Sequence, residues 1–423
     1  MLAPLLVSFA VLLVLRIPVA AAMGLSGAFA LFTSDMQIPL AVVPQRIFVL
    51  LDSTSLLAIP FFILAGAIME QGGMARRMIG FAQTMVGHWR GGLAQVDVLA
   101  STIFSSLTGS SAASASATGS VMIPAMKRAG YPAGYAAALE ASSAAIGPII
   151  PPSIIMVIYG SLAGVSVGAL FLSGIVPGLM ITLGLFAVNA VQARRKGWGG
   201  EARASFRERA RAARLASAAL VAPLIIIGGI LGGVFTPTEA GAVAVVYAAV
   251  ISLFVYREMG FRRLMGSVFD AALTTGIIGL IIASAGIFGW VLALEQVPQM
   301  VVAWVQSVTA SPSVAIILVV GVVLVIGCVV DVTAAVIILV PVFAPLGASY
   351  GFDPVHFGII MCLALVYGNV TPPVGLLLFL TAGIAKCSVG EVMRYQIPFY
   401  IVLTLVLAAT VALPGLVLFI ARF

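Results

Sequence analysis

Hydroxyl side chains are concentrated in one short segment, residues 104–120, where serine and threonine alternate with alanine and glycine. Small hydroxyl residues at this density make a poor lipid-facing helix, but their oxygen atoms suit hard cations such as sodium. Turning backbone at membrane depth is tolerated only inside protein or beside water, so the pattern favours a hairpin that enters a membrane from one face and returns. Tight packing of two continuous helices, which small residues also permit, is the alternative.

Two double prolines, Pro151-Pro152 and Pro372-Pro373, lie inside apolar runs, and each follows a nearby glycine. A proline removes a backbone donor and clashes with the preceding turn, so each pair predicts a break in a helix. Unwound carbonyl groups can then coordinate a cation, and the N-terminus of a half-helix can hold an anionic group. Plain proline kinks are the alternative interpretation.

Each hairpin together with the broken helix that follows it predicts one sodium site. The first predicted site comprises Ser110, Ser111, Ser114, Gly147 and Pro148. The second comprises Asp331, Thr333, Gly368, Asn369 and Thr371. No organic cofactor is expected.

Five carboxylates lie in or beside apolar stretches: Asp97, Glu140, Glu239, Asp270 and Asp331. An ionisable group inside a bilayer is costly unless it faces a partner or water, which makes such residues functional candidates. Asp97, Glu239 and Asp270 are expected at helix ends, where capping or snorkelling explains them. Glu140 and Asp331 are the stronger candidates, and proton coupling through either is open.

Catalytic signatures are missing from the sequence. It contains no phosphate-cradling loop with its lysine, and its two histidines and three cysteines show no metal-like spacing. The serine-rich stretches lack a matching Ser-His-Asp set, so hydrolysis is unsupported. A membrane-embedded enzyme is therefore disfavoured, and an ion gradient is the expected energy source. A passive channel is disfavoured because it would not need two matched half-sites.

The composition is that of a membrane protein, with 62% hydrophobic and 8% charged residues, against about 25% charged residues in soluble proteins. About ten stretches are long enough to cross a hydrocarbon layer roughly 30 Å thick. The net charge of +7 does not indicate nucleic acid, because basic residues cluster in segments that the positive-inside rule places in the cytoplasm. That topology leaves Arg46, Arg422 and both termini outside, and residues 1–15 form a retained first helix.

An internal repeat is the main organisational signal. The same landmarks recur in order: a helix, a proline and a helix; a Glu-Gln pair; small polar residues closing on a proline; and a double proline. The predicted division is residues 1–191, a basic cytoplasmic linker at 192–214, and residues 215–423. An odd number of crossings in each half would invert the second half. The predicted fold is therefore all-α and polytopic, with two inverted repeats, about ten transmembrane helices and two re-entrant hairpins.

The chain resembles the large, DctM-type membrane subunit of tripartite ATP-independent periplasmic (TRAP) transporters. The similarity rests on motifs that occur in order along the whole chain: residues 109–113, 123–132, 147–153, 353–358 and 371–375. It implies an elevator-type, sodium-driven importer of organic acids such as dicarboxylates or sialic acid, in the bacterial inner membrane. The implied partners are a small four-helix membrane subunit, expected as a separate polypeptide, and a periplasmic substrate-binding protein.

The substrate carboxylate is expected near Ser111, Ser153, Thr371, Pro372 and Glu140. The chain departs from the family pattern at two positions, because Ala364 stands where the family usually has asparagine and Asn369 where it usually has an apolar residue. A carboxylate carrier that works alone, coupled to sodium or protons, is the alternative function. The arm at residues 76–90 is expected to lie along the membrane interface as an amphipathic helix, with a basic loop as the alternative.

Overall fold

The structure is a computed structural model that describes residues 1–34, 38–39 and 41–422, and the regular elements of these residues are all helical. The first part of the chain forms α1 (Leu2–Val14), α2 (Val19–Phe32), α3 (Val42–Leu51), α4 (Ala58–Gln71), α5 (Met74–Val86), α6 (Gly92–Thr108), α7 (Ser111–Arg128), α8 (Ala133–Ala144), α9 (Ile154–Ala163) and α10 (Val167–Lys196). The second part forms α11 (Phe206–Leu231), α12 (Pro237–Val250), α13 (Phe261–Leu294), α14 (Val297–Val308), α15 (Pro312–Gly327), α16 (Val332–Ser349), α17 (Pro354–Asn369), α18 (Leu376–Ala385), α19 (Val389–Ala412) and α20 (Pro414–Leu418). The all-α prediction is confirmed.

Six helices in the described part of the chain are long and apolar enough to cross a membrane alone: α10, α11, α12 with the π-helical turn Ile251–Val255, α13, α16 and α19. The pair α4 and α5, bent by 68°, makes a seventh if it counts as one span. The further crossings predicted from the sequence would have to be made by shorter apolar helices. The total of about ten stays a prediction.

Apart from α3 and α20, the helices of the two halves can be paired in the same order. The pairs α1–α2, α4–α5, α6–α7 and α8–α9, followed by α10, correspond to α11–α12, α13–α14, α15–α16 and α17–α18, followed by α19. Much of the basic linker predicted at 192–214 is helical, because α10 continues to Lys196 and α11 starts at Phe206. The domain limits and the inversion of the second half stay predictions.

Helices from the two halves interlock. Helix α2 packs against α13 and α4 against α12, while α8 packs against α18 and α19, and α9 packs against α16. The buried apolar side chains of both halves consequently form one continuous core. Two groups of helices result: a frame built on α1, α2, α4 and α11 to α13, and a hairpin group built on α6 to α10 and α15 to α19.

The basic arm is a helix, α5, as its amphipathic pattern predicts. It starts after Gly73, whose φ of +78° is readily reached only by glycine. Arg77 fixes the arm to the segment after α12, because its guanidinium group lies 2.7 Å from a Glu258 oxygen and stacks over the Tyr256 ring. The simple basic loop is thereby ruled out, and the placement at the membrane interface stays a prediction.

Candidate functional site

The first hairpin turns between α6 and α7 at Gly109 and Ser110. Gly109 has a φ of +62°, which ends α6 in a left-handed residue. Ser110 is the N-cap of α7, and its hydroxyl accepts a hydrogen bond from the Ala113 backbone at 3.4 Å. Serine at this position therefore starts the second helix of the hairpin and places hydroxyl groups at its tip.

The tip of this hairpin packs directly onto the first helix break, residues 145–153 between α8 and α9. A Cβ atom at Gly109 would lie 2.4 Å from the Pro152 carbonyl oxygen, and one at Gly147 would lie 3.1 Å from the Ser110 backbone. Ser153 caps α9, and its hydroxyl donates back to the Pro148 carbonyl oxygen. The glycines permit the contact, and the serine fixes the unwound backbone.

The second hairpin, α15 and α16, meets the second break, residues 370–375, in the same way. The Gly375 backbone donates to the Cys328 carbonyl oxygen at 2.9 Å, and a Cβ atom at Gly368 would lie 2.6 Å from the Gly327 backbone. Asp331 is the N-cap of α16 and accepts from the Thr333 backbone at 2.9 Å. The Pro151-Pro152 and Pro372-Pro373 peptide bonds are both cis. Both helices break where the double prolines predict.

One cavity of about 560 Å³ joins the two hairpin tips. It contains six of the residues that the sequence predicts for the ion sites: Ser110, Ser111, Pro148, Asp331, Thr333 and Asn369. Apolar side chains from α4, α9, α13 and α18, such as Ile155 and Leu377, line much of the remaining wall. The structure thus brings parts of both predicted sites to one shared space.

Asn369 connects the two halves inside this cavity. Its Nδ2 atom donates to the Ser111 hydroxyl at 3.4 Å, and the residue is 4% exposed. Its Oδ1 atom has no hydrogen-bond donor among the described residues. A buried carbonyl oxygen without a donor is costly, and a cation would satisfy it. Ala364, the other departure from the family pattern, is buried within α17 and does not line the cavity.

Several predicted site residues do not line the cavity. Ser114 is buried behind the first tip, and its hydroxyl lies 3.1 Å from the Thr108 hydroxyl. Gly147 and Gly368 allow the close contacts at the helix breaks, and Ser153 caps α9. Thr371 donates to the Tyr367 carbonyl oxygen at 2.7 Å and, like Pro372, is half-buried outside the cavity wall. Glu140 is fully buried within α8. These residues shape the site from behind its wall.

Two carboxylates that the sequence analysis did not assign to the site, Glu70 of α4 and Asp270 of α13, also line the cavity. Asp270 was expected at a helix end, and this was wrong, because α13 continues well beyond it on both sides. Only the packing of α4 and α13 brings these side chains near the hairpins. Glu239, by contrast, forms the capping box of α12 with Thr236, as expected.

The expectation for Asp97 was also wrong. It lies within α6, is 0% exposed, and its carboxyl group contacts that of Glu140. Burial by α7 and α8 could not be read from the local sequence, which shows only a carboxylate shortly after the glycines that start α6.

The donor set suits a hard cation better than a transition metal. The described residues contain no group of three or more His, Cys, Asp or Glu side chains that could hold a metal ion. The cavity instead offers the Asp331 carboxylate, the Asn369 amide oxygen and the hydroxyl groups of Ser110, Ser111 and Thr333. Oxygen ligands of this kind suit sodium.

Comparison with known proteins identifies the family. A family model described as the DctM component of the tripartite ATP-independent periplasmic transporter matches residues 6–416. The chain belongs to this family. The resemblance noted from the sequence motifs is confirmed, and the chain is a TRAP large permease.

TRAP large permeases with different substrates are similar over nearly the whole chain. The C4-dicarboxylate permease DctM of Pseudomonas aeruginosa is 41% identical, with 93% of each chain covered. The 2,3-diketo-L-gulonate permease YiaN of Escherichia coli is 38% identical, with 95% of this chain and 94% of the other covered. The sialic acid permease SiaM of Vibrio cholerae is 35% identical, with 92% and 90% covered. All three are named as transporter permeases.

A solved structure shares the fold of this TRAP permease. The YdaH transporter of Alcanivorax borkumensis superposes with a TM-score of 0.65 over 97% of this chain and 98% of the other. At 15% identity, this similarity concerns the fold alone.

Proposed function

We propose that this TRAP large permease imports an organic acid together with sodium ions, and that both bind in the cavity between the hairpin tips. The charge of the cavity carries this proposal. Its wall contains the carboxylates Glu70, Asp270 and Asp331, and the described residues supply it with no lysine, arginine or histidine. An organic anion would be repelled by such a wall, so it needs cations that enter with it.

The substrate class follows from the same argument and from the relatives. C4-dicarboxylates, 2,3-diketo-L-gulonate and sialic acid, the substrates in the names of three relatives, are all organic acids. Sodium at the Asn369 oxygen and the tip hydroxyl groups would offset the wall charge and leave the N-termini of α7, α9 and α18 to attract a carboxylate.

The proposed transport step is an elevator movement of the hairpin group against the frame. The hairpins and broken helices pack on one another, and the paired helices around Pro18 and Pro237 belong to the frame. Sodium binding would order the hairpin tips and reduce the net charge that moves through the membrane. Family membership also leads us to propose a small membrane subunit and a periplasmic binding protein as partners, in the bacterial inner membrane with both termini periplasmic. Delivery by partners makes the carrier that works alone the less favoured alternative.

Uptake of radiolabelled succinate, sialic acid and 2,3-diketo-L-gulonate by proteoliposomes tests the proposal. The permease is reconstituted with the proposed small subunit and binding protein, under an inward sodium gradient or an equal potassium gradient. We expect one acid to accumulate only with sodium, and Asp331→Asn to require more sodium than the control variant Glu391→Gln, which alters an exposed carboxylate on α19. Uptake that persists without sodium while a proton gradient suffices would reject sodium coupling.

A further inference from the structure

Two carboxyl groups are enclosed together behind the first hairpin, outside the cavity. Asp97 lies on α6 and Glu140 on α8, and both residues are 0% exposed. Their carboxyl groups are within hydrogen-bonding reach of each other. Gly119 of α7 makes room for this contact, because a Cβ atom there would lie 3.0 Å from the Glu140 side chain. The packing of three helices therefore holds two acids face to face.

The polar atoms around this pair lack donors. Both Asp97 oxygens and Glu140 Oε2 have no hydrogen-bond partner in the part of the chain that the structure describes. The Ser143 hydroxyl, which lies beside Asp97 and could donate to it, has no other partner there. Neither carboxyl group forms an ion pair with any described residue. Several buried acceptors without donors are unfavourable unless a bound proton lets one of the carboxyl groups donate a hydrogen bond.

The Thr118 hydroxyl gives independent support for a proton at this place. Its oxygen lies 2.6 Å from Glu140 Oε1 and 2.7 Å from the Ser114 carbonyl oxygen. A hydroxyl group has one hydrogen and cannot donate fully to both acceptors. A protonated Glu140 would donate to the Thr118 oxygen and leave the Thr118 hydrogen for Ser114. Both short contacts of the Thr118 hydroxyl are hydrogen bonds when the Glu140 carboxyl group is protonated.

Among the residues that the structure describes, no neighbouring charge substitutes for that proton. Lys127 of α7 donates to the Ala385 carbonyl oxygen at 2.6 Å, and Arg77 of α5 pairs with Glu258. Arg209 of α11 is half-buried but forms no ion pair with either acid. The other charged residues of α4, α5, α7, α10, α11 and α19, which pack against α6 or α8, are exposed. Helix α18 also packs against α8 and contains no charged residue. The titratable group that faces the pair is Tyr135 of α8, whose hydroxyl donates to Asn189 at 2.7 Å.

We propose that Asp97 and Glu140 form a proton-binding site that holds at least one proton at neutral pH. Two carboxylates in contact in a dry interior cannot both be ionised, as in the paired acids of aspartic proteases. One proton lets one acid donate to the other. A second proton completes the network, with Asp97 donating to Glu140, Glu140 donating to Thr118, and Ser143 donating to Asp97.

The same hydroxyl groups connect this site to the hairpin tip. Thr118 bonds the Ser114 carbonyl, the hydroxyls of Ser114 and Thr108 are 3.1 Å apart, and Thr108 donates to the Ser110 carbonyl oxygen at 3.5 Å. Thr108 and Ser110 line the cavity. Loss of the proton would place repelling charges between α6 and α8 and disturb the tip. This site does not depend on the proposed sodium coupling.

Infrared spectroscopy of the full chain in lipid tests the proposal, since the carbonyl stretch of a protonated carboxylic acid is separate from the carboxylate bands. We expect a band at neutral pH worth at least one carboxyl group per chain, which disappears as the pH rises. The double variant Asp97→Asn with Glu140→Gln should lose this band, and Glu391→Gln should keep it. A wild-type chain without the band, or a double variant that retains it, would overturn the proposal.

Two further measurements complete the test. Incorporation of isotope-labelled aspartate or glutamate should shift the band of the unmutated chain. This shift assigns the band to a carboxyl side chain even if the double variant does not fold. A band that neither label shifts would overturn the proposal. The spectrum should be the same in sodium and in choline salts. A band that appears only without sodium, and that sodium titrates away, would make the pair a sodium site and refute proton binding.

Discussion

Replacement of Asn369 by alanine tests the assignment of the cation ligands most directly. The change removes the Oδ1 atom of a cavity-lining residue, and this atom has no donor in the described chain. No protein hydrogen bond to this oxygen is lost, and the Nδ2 bond to Ser111 is long at 3.4 Å, so it contributes little. The main loss is a contact with a bound cation, worth about 2 kcal/mol. Sodium affinity should then fall about 30-fold.

Binding of radiolabelled sodium to the purified permease measures this effect without knowledge of the substrate. Asn369→Asp keeps an oxygen at the same place and adds negative charge, so it should bind sodium at least as tightly as the wild type. Ser307→Ala, on the exposed side of α14, should leave the affinity unchanged. A wild-type affinity in Asn369→Ala would refute the assignment of this oxygen as a ligand.

Three other substitutions test the supporting structure. Gly368→Ala should lower the thermal unfolding temperature and abolish uptake, because its Cβ atom would lie 2.6 Å from the backbone of the second hairpin tip. Gly383→Ala, which has open space around its Cβ atom, should resemble the wild type in the same two assays. Ser153→Ala removes the cap of α9 and should cost about 1 kcal/mol in unfolding measurements, with recovery in Ser153→Thr; an unchanged stability would contradict the role of the cap. A double-mutant cycle of Arg77→Met and Glu258→Gln should give a coupling below about 1 kcal/mol, because this ion pair is partly exposed, and a much larger value would show a stronger anchor for the arm.

The parts of the fold that could be predicted from sequence are those set by local chemistry. The double prolines mark both helix breaks, and the serines around Ser110 mark the first hairpin, because both effects act within a few residues. Asp331, predicted as an ion ligand, is the N-cap of α16 in the second hairpin, and its role as a ligand stays a prediction. The sequence marked the linker only by its basic residues, and those up to Lys196 and after Phe206 belong to the adjoining helices.

The parts that could not be predicted depend on contacts between distant segments. Glu70 and Asp270 reach the cavity only because α4 and α13 pack beside the hairpins. Asp97 resembles a helix-end carboxylate in sequence, but α8 encloses it. Thr371 carries a suitable hydroxyl at a suitable place in the sequence, yet it bonds to its own helix at Tyr367. Residue type and spacing therefore identify candidates, and packing decides which of them meet.

The exchange of packing partners between the halves has a consequence for biogenesis. Helix α2 leaves the ribosome long before α13, and α4 long before α12, although each pair packs together in the finished protein. The early helices must wait in the bilayer with lipid or an insertion factor against the surfaces that the later helices will cover. Synthesis of the first half alone should therefore yield a protease-sensitive intermediate, and co-expression of the separated second half should restore protection.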